Sequence, residues 1–178
     1  MIDAVEEGYL ISPEHKARYV EYYADRPFKD RPHKWQEKVE AIAKKIEAKS
    51  VLDYGCGVTQ ALSRWSSLPV TDYDPVIPHL DCPNFNHKFD LVVCNHVLEH
   101  VEPERLHDIL AHIKSLTGKV VYIALSTKLS TKKLPDGTEW HLLVHNKKWW
   151  NQQFKKHFRA FHIFESDERT FEIIWVRK

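Results

Sequence analysis

A chain of 178 residues and 21.0 kDa is long enough for one domain with a full core and short for two. With 43% hydrophobic and 29% charged residues it has a globular composition, which excludes a disordered chain. Twenty-six Lys and Arg against 25 Asp and Glu leave a formal charge of +1, which excludes a polycationic nucleic-acid binder on net charge. The apolar runs fall short of the ~18–20 residues that cross a bilayer, so no membrane association is expected.

In chain order, residues 33–49 carry Trp35, Val39, Ile42 and Ile46 at spacings of four, three and four, which predicts an amphipathic helix. The run SVLDY then reads as a first strand leading into Gly55-Cys56-Gly57. LPVTDYD reads as a second strand stopped by Pro75, and FDLVVC as a buried strand of continuous apolar character. Residues 103–117 place Leu106, Ile109, Leu110, Ile113 and Leu116 on one helical face, and KVVYIAL is another buried strand. A helix is expected over 146–158, with Asn146 as N-cap and Trp150, Phe154 and Phe158 at spacings of four. The segment FHIFESDERTFEIIWV reads as two strands about a polar turn at Ser166–Arg169, joined too tightly to be parallel. Strands alternating with helices predict an α/β fold: a mostly parallel sheet, an antiparallel C-terminal strand pair and flanking helices. Such a sheet binds its ligand at the carboxyl ends of its strands.

No internal repeat or low-complexity linker divides the chain, so residues 1–178 are expected to form one domain. Within it, 1–49 reads as an N-terminal helical segment, 50–127 as a ligand-binding core and 160–178 as the terminal strand pair. The segment 128–159 holds eight basic and two acidic side chains and is rich in Trp. A solvated basic face and a surface for an anionic acceptor both fit that composition. Cys56, Cys82 and Cys94 form no CxxC pair, and the acidic start MIDAVEEGYLISPEHK lacks an apolar stretch. No signal peptide and a reducing, cytoplasmic location are therefore expected.

Two of the five glycines fall in Val51-Leu52-Asp53-Tyr54-Gly55-Cys56-Gly57, at the end of the first strand. Glycine there permits a sharp turn and a close backbone approach by a ligand. Asp53 stands two residues before Gly55, and Asp74 ends the second strand 21 residues later. That offset of about twenty residues suits a carboxylate that accepts from a ribose diol.

In order, VLDYGCG, VTDYDP and FDLVVCNHVLEHV resemble the class I S-adenosylmethionine-dependent methyltransferases, over about Ser50 to Leu125. LPDGTEWHL followed by a Trp-rich helix is similar to the small stand-alone members of phage and bacterial type. The resemblance implies a Rossmann-like fold and S-adenosylmethionine as donor. It implies that Asp53 faces the methionine ammonium, that Tyr54, Gly55, Cys56 and Gly57 form the turn beneath the donor, that Asp74 binds the ribose hydroxyls and that Asn95 lies near the methionine part. Leu98-Glu99-His100 matches the family's LEH, in which Glu99 is read as structural. Two departures stand out. The usual third glycine is absent, with Thr59 in its place, and the fourteen residues between Asp74 and Phe89 are short for a helix and a third strand. Asp81 is the acid that this short stretch offers for the adenine amine.

In-line methyl transfer needs positioning above all, and a base only for an acidic acceptor proton. His96, beside the donor pocket in the motif alignment, and His141, beyond the fifth strand of the family, are the catalytic candidates. Trp140 and His141 are the candidates for acceptor contact. His96 with His100, and His141 with His145, are each four apart, but HLLVH lacks the glutamate of HExxH and no third ligand is implied, so no metal is expected. A small or medium-sized acceptor is expected rather than a nucleic acid, because the pI of about 7.8 is too low for the latter. The alternatives are a nicotinamide-dependent oxidoreductase, which would want the third glycine, and a binding module for the donor without turnover.

Overall fold

The computed structural model describes residues 10–24, 34–82, 85–164 and 168–177. Eleven elements follow in order: α1 (Pro13–Ala24), α2 (Gln36–Lys45), β1 (Val51–Tyr54), α3 (Ala61–Trp65), β2 (Val70–Tyr73), β3 (Phe89–Asn95), α4 (Leu106–Leu116), β4 (Thr117–Ser126), α5 (Lys147–His157), β5 (His162–Phe164) and β6 (Thr170–Val176). Short 3-10 turns at Leu98–His100 and Pro103–Arg105 lead from β3 into α4.

The six strands form one sheet in the order β2-β1-β3-β4-β6-β5. β2, β1, β3 and β4 are parallel, and β6 pairs antiparallel with both β4 and β5. The strand order reverses direction at β1, so the crevice beyond β1 and β3 is where a sheet of this kind receives a ligand. Each expected strand and helix of residues 33–176 is present; the terminal hairpin's turn lies partly outside the described residues.

Side-chain alternation sorts the core into two layers. On one face Leu52, Tyr54, Val92 and Cys94 pack under α4 and α5, against Leu110, Trp150, Phe154 and Phe158. On the other, Val51, Leu91 and Val93 pack against Val39 and Ala43 of α2 and Leu62 of α3. The stripe α2 buries fully is Val39 and Ala43, with Trp35 just before the helix; Ile42 and Ile46 are only partly covered. Asn146 caps α5 by accepting from the Trp149 N–H at 2.9 Å, which frees Trp150 to enter the core.

The short stretch after β2 has a structural counterpart. Among the described residues no strand lies between Asp74 and Phe89, so β2 is the sheet edge and the layer beyond it is trimmed. Gln60 takes a left-handed φ of 44° to start α3, which lasts only five residues.

Phe154 is fully buried and stacks on Trp150 and Phe171, with ring centroids 5.9 and 6.0 Å apart. Phe154→Ala removes the ring joining α5 to β6 and is expected to lower the unfolding free energy by ~3–5 kcal/mol in urea titration.

Candidate functional site

The turn after β1 is built by backbone geometry. Gly55 and Gly57 have φ of 81° and 63°, a region that disfavours residues with a Cβ. A Cβ on Gly55 would come within 2.4 Å of the Val97 side chain, so glycine is required there by space as well as by torsion. The N–H groups of Gly55 and Cys56 both donate to the Tyr73 carbonyl, at 2.7 and 3.1 Å, which fastens the turn to the end of β2.

Asp74, one residue beyond β2, completes that fastening. Its carboxylate accepts from the Gly57 N–H and the Val76 N–H, each at 2.9 Å. Burial raises its pKa, and those two N–H groups oppose the rise. Asp53, one residue before the end of β1, stands directly across from Asp72 in the sheet. Asp72 is held by the Ser63 hydroxyl at 2.6 Å. Among the described residues no hydrogen bond or cation reaches the Asp53 carboxylate. Burial, then the charges of Asp72 and Asp74, push it up to about 8. That shift favours the protonated carboxyl at neutral pH, and a cation placed nearby would oppose it.

A cavity of about 110 Å³ opens beside the turn, walled by Tyr54, Gly55, Asp74, His96 and His100 and roofed by His15 and Tyr19 of α1. Tyr54 contributes its ring only, because its hydroxyl bonds to Nδ1 of His112 on α4 at 3.0 Å. Asp53, Cys56, Gly57 and Asn95 are not among the residues that wall this cavity. By strand alternation Asp53 and Asn95 share the α2 side of the sheet, while Tyr54 looks out on the α4 side. The Asn95 side-chain oxygen is buried and, among the described residues, unpartnered. Cys56 is buried and its thiol is pushed up by that burial and by Asp53, as suits a filler and not a nucleophile.

His96 follows β3 with a left-handed φ of 54°, a conformation of the strained kind found at functional positions. Its ring stacks on Trp35 and its Nδ1–H donates to Oε1 of Glu99 at 2.8 Å, and the residue forms part of the cavity wall. Trp140 packs on Tyr22 and Tyr19 of α1, with centroids 4.2 and 5.0 Å apart. Tyr19 and Tyr22 thus serve both as a packed face and, through Tyr19, as part of the roof. His141 is edge-on to His100 at 4.9 Å. Asp81 is paired with Lys16 of α1.

His15 was absent from the sequence candidates, His100 entered only as a four-residue pair with His96, and for Tyr19, with Tyr22 and Tyr23 on one helical side, a packed core face competed with a cap over the donor. His15 and Tyr19 carry only the helical spacing of four as a signal, which core packing explains equally well. The residues 141–146 are not helical, and His96 lies outside the 3-10 turn at Leu98–His100, so neither four-residue histidine pair shares a helical face.

The profile of a family described as Methyltransferase domain matches residues 28–167 of the chain. Several solved structures share the fold. One is the 1,6-didemethyltoxoflavin-N1-methyltransferase of Burkholderia thailandensis, bound to 1,6-didemethyltoxoflavin and S-adenosylhomocysteine, at 14% identity, covering 99% of this chain and 97% of that one, with a TM-score of 0.61. A second is the DhpI complex with SAM and HEP, at 16% identity, covering 93% and 94%, with a TM-score of 0.58. A third is the magnesium protoporphyrin IX methyltransferase of Synechocystis PCC 6803 with bound SAM, at 14% identity, covering 94% and 99%, with a TM-score of 0.57. No curated protein sequence matches.

The Asp53 proton gives a signed pH dependence. Between the ordinary carboxylate range and about pH 8 the unfolded chain has released this proton and the folded chain has retained it. The contribution of Asp53 to stability is thus complete at acid pH, declines across that window and levels off above it. Asp53→Asn is expected to flatten the decline in Tm between about pH 5 and about pH 8. A variant with the wild-type slope removes Asp53 as its source.

Proposed function

Since the chain belongs to the methyltransferase-domain family and is an S-adenosylmethionine-dependent methyltransferase, we propose that its donor lies across the Gly55–Gly57 turn, between Asp53 and Asp74, and that it methylates a small or medium-sized acceptor. The observation that carries this reading is the buried Asp53 carboxyl, which no cation among the described residues reaches and which stands near the carboxyl end of β1, where the strand order reverses. The donor supplies the missing partner in its ammonium group and, when bound, a methyl group activated by a sulfonium.

The residues suit these roles by their chemistry. Asp53 and the Asn95 oxygen are acceptors for an ammonium on the α2 side of the turn. Asp74, with two N–H donors already holding its carboxylate in place, keeps lone pairs for a ribose diol. Tyr54 offers its ring, and Gly55, Cys56 and Gly57 a backbone free of bulky side chains. A drug-sized ligand wants a pocket of ~300–1,000 Å³. The cavity of about 110 Å³ is smaller, so α1, which roofs it, yields when the donor enters.

On the acceptor side, Trp140 and His141 meet the site at His100, and His96 presents Nε2 as a base for an acceptor proton. We take residues 1–178 as one domain in which 128–159 is the acceptor-side segment. The expected compartment is the cytoplasm. Cys56, Cys82 and Cys94 are all free thiols, as a reducing environment requires, and no helix among the described residues is long and apolar enough to cross a membrane.

Calorimetry with S-adenosylhomocysteine, S-adenosylmethionine and NAD tests the donor site without needing the acceptor. Both sulfur nucleosides are expected to bind and NAD is not; the reverse pattern returns the oxidoreductase alternative. Asp74→Ala is expected to weaken S-adenosylhomocysteine by one charge-assisted contact, ~1.5–3 kcal/mol. Binding is also expected to release the Asp53 proton near neutral pH, so the measured heat changes with the ionisation enthalpy of the buffer. Asp53→Asn abolishes that change, and a buffer-independent heat in the wild type overturns the Asp53 assignment.

A further inference from the structure

We propose that Glu99, His100 and His141 form a binding site for a divalent transition-metal ion, at which the acceptor hydroxyl is held for methylation. One ligand atom from each of the three lies within 4.8 Å of the others. Atoms sharing an ion at bonds of ~2.0–2.2 Å stand somewhat closer, and small side-chain rotations close the difference.

Three observations point to a cation at this place. The first is the tautomer that the hydrogen bonds impose. Nδ1 of His100 lies 2.7 Å from the Trp140 carbonyl, and Nδ1 of His141 lies 2.6 Å from the Lys128 carbonyl. A carbonyl only accepts, so each Nδ1 carries the proton and each Nε2 is left with a lone pair. Orienting a histidine ligand through its other nitrogen in this way is the usual outer-shell arrangement of metal sites. The second is Glu99, which is fully buried. Its Oε1 accepts from His96 Nδ1 at 2.8 Å and from the Ser126 N–H at 2.9 Å, while Oε2 has no partner. A buried carboxylate oxygen without a donor is costly. Two imidazole lone pairs beside it offer no proton to relieve that cost, whereas a cation satisfies all three. The third is the way the ligands are brought together. The N–H groups of Leu142 and Leu143 donate to the Glu99 carbonyl at 2.8 and 3.0 Å. Together with the bond from His100 to Trp140, they lock the loop bearing His141 onto the turn bearing Glu99 and His100.

Two imidazoles and one carboxylate suit zinc, cobalt or manganese better than calcium or magnesium. Three protein ligands leave coordination positions open, as in catalytic sites. His100 is also in the wall of the cavity, so an acceptor oxygen on the ion would stand next to the donor. The ion lowers the pKa of that hydroxyl. The hydroxyl proton passes to Nε2 of His96 and on to water. The oxygen forms the new O–CH3 bond as the S–CH3 bond breaks, and the electron pair leaves on sulfur as a thioether. This use of the ion, though not its binding, rests on the methyltransferase reading above, and it narrows the acceptor to an alcohol.

The test uses the tag-free full chain after chelator treatment, titrated with cobalt(II) and followed by visible d–d absorption. About one equivalent is expected to give bands of imidazole–carboxylate ligation that zinc(II) abolishes. His141→Ala, on a loop, is expected to weaken cobalt binding at least tenfold, and Glu99→Gln likewise, while His145→Ala leaves it unchanged. Absence of cobalt bands in the wild type, or wild-type affinity in His141→Ala, overturns the proposal. S-adenosylhomocysteine calorimetry on the same metal-free wild type separates the two readings. Donor binding without cobalt binding refutes the metal site alone, and cobalt binding without donor binding supports the site while refuting the donor reading.

Discussion

The turn after β1 is held open by its neighbour, and the site depends on that constraint. The Tyr73 carbonyl takes two consecutive N–H groups of the turn, and the Asp74 carboxylate takes a third from Gly57. With its amides committed to β2, the turn cannot fold back over the strand tip. Among the described residues no donor or cation reaches the buried Asp53 carboxyl, and burial with the neighbouring Asp72 and Asp74 pushes its pKa up to about 8. The Val97 side chain fills the space above Gly55, so the same constraint reaches across to the segment after β3. There His96 adopts a left-handed backbone and turns its ring toward Trp35 and Glu99.

A second junction closes the other side of the site. The segment 98–100 and the loop 140–143 are joined by backbone and imidazole hydrogen bonds across some forty residues of sequence. α1 then rests on this junction. Tyr19 and Tyr22 pack on Trp140, and Nε2 of His15 is 3.0 Å from the His100 carbonyl. The roof over the cavity is therefore attached to the acceptor side, so a displacement of α1 by an incoming donor bears directly on Trp140 and His100. In the reading proposed above, the donor and acceptor sites therefore share a wall.

The trimmed layer beyond β2 has a related consequence. Without a further strand there, β2 is an edge with half-exposed side chains, and the stretch after Asp74 is free to lie against α1, where Asp81 meets Lys16. The N-terminal segment supplies cover that the absent layer does not.

Much of this was legible in the residues themselves, where the physical signal is local. Period-four apolar spacing marked α2, α4 and α5, continuous apolar runs marked β3 and β4, and Asn146 marked the start of α5, because a helix face, a buried strand and a cap are each specified within a few residues. The glycine turn and its two flanking aspartates were legible for the same reason, as was the short passage between Asp74 and Phe89. Proximity between distant segments was not. The four-residue spacings of His96 with His100 and of His141 with His145 fall on no common helical face, whereas His100 and His141, forty-one positions apart, stand side by side. The sequence by itself determined the α/β alternation, the position of the glycine turn and the acids beside it. Only the tertiary structure decided that Asp53 lacks a cation, that α1 roofs the cavity and that Glu99, His100 and His141 converge. Burial, tautomer and convergence arise when separate segments are packed together, and no local pattern encodes them.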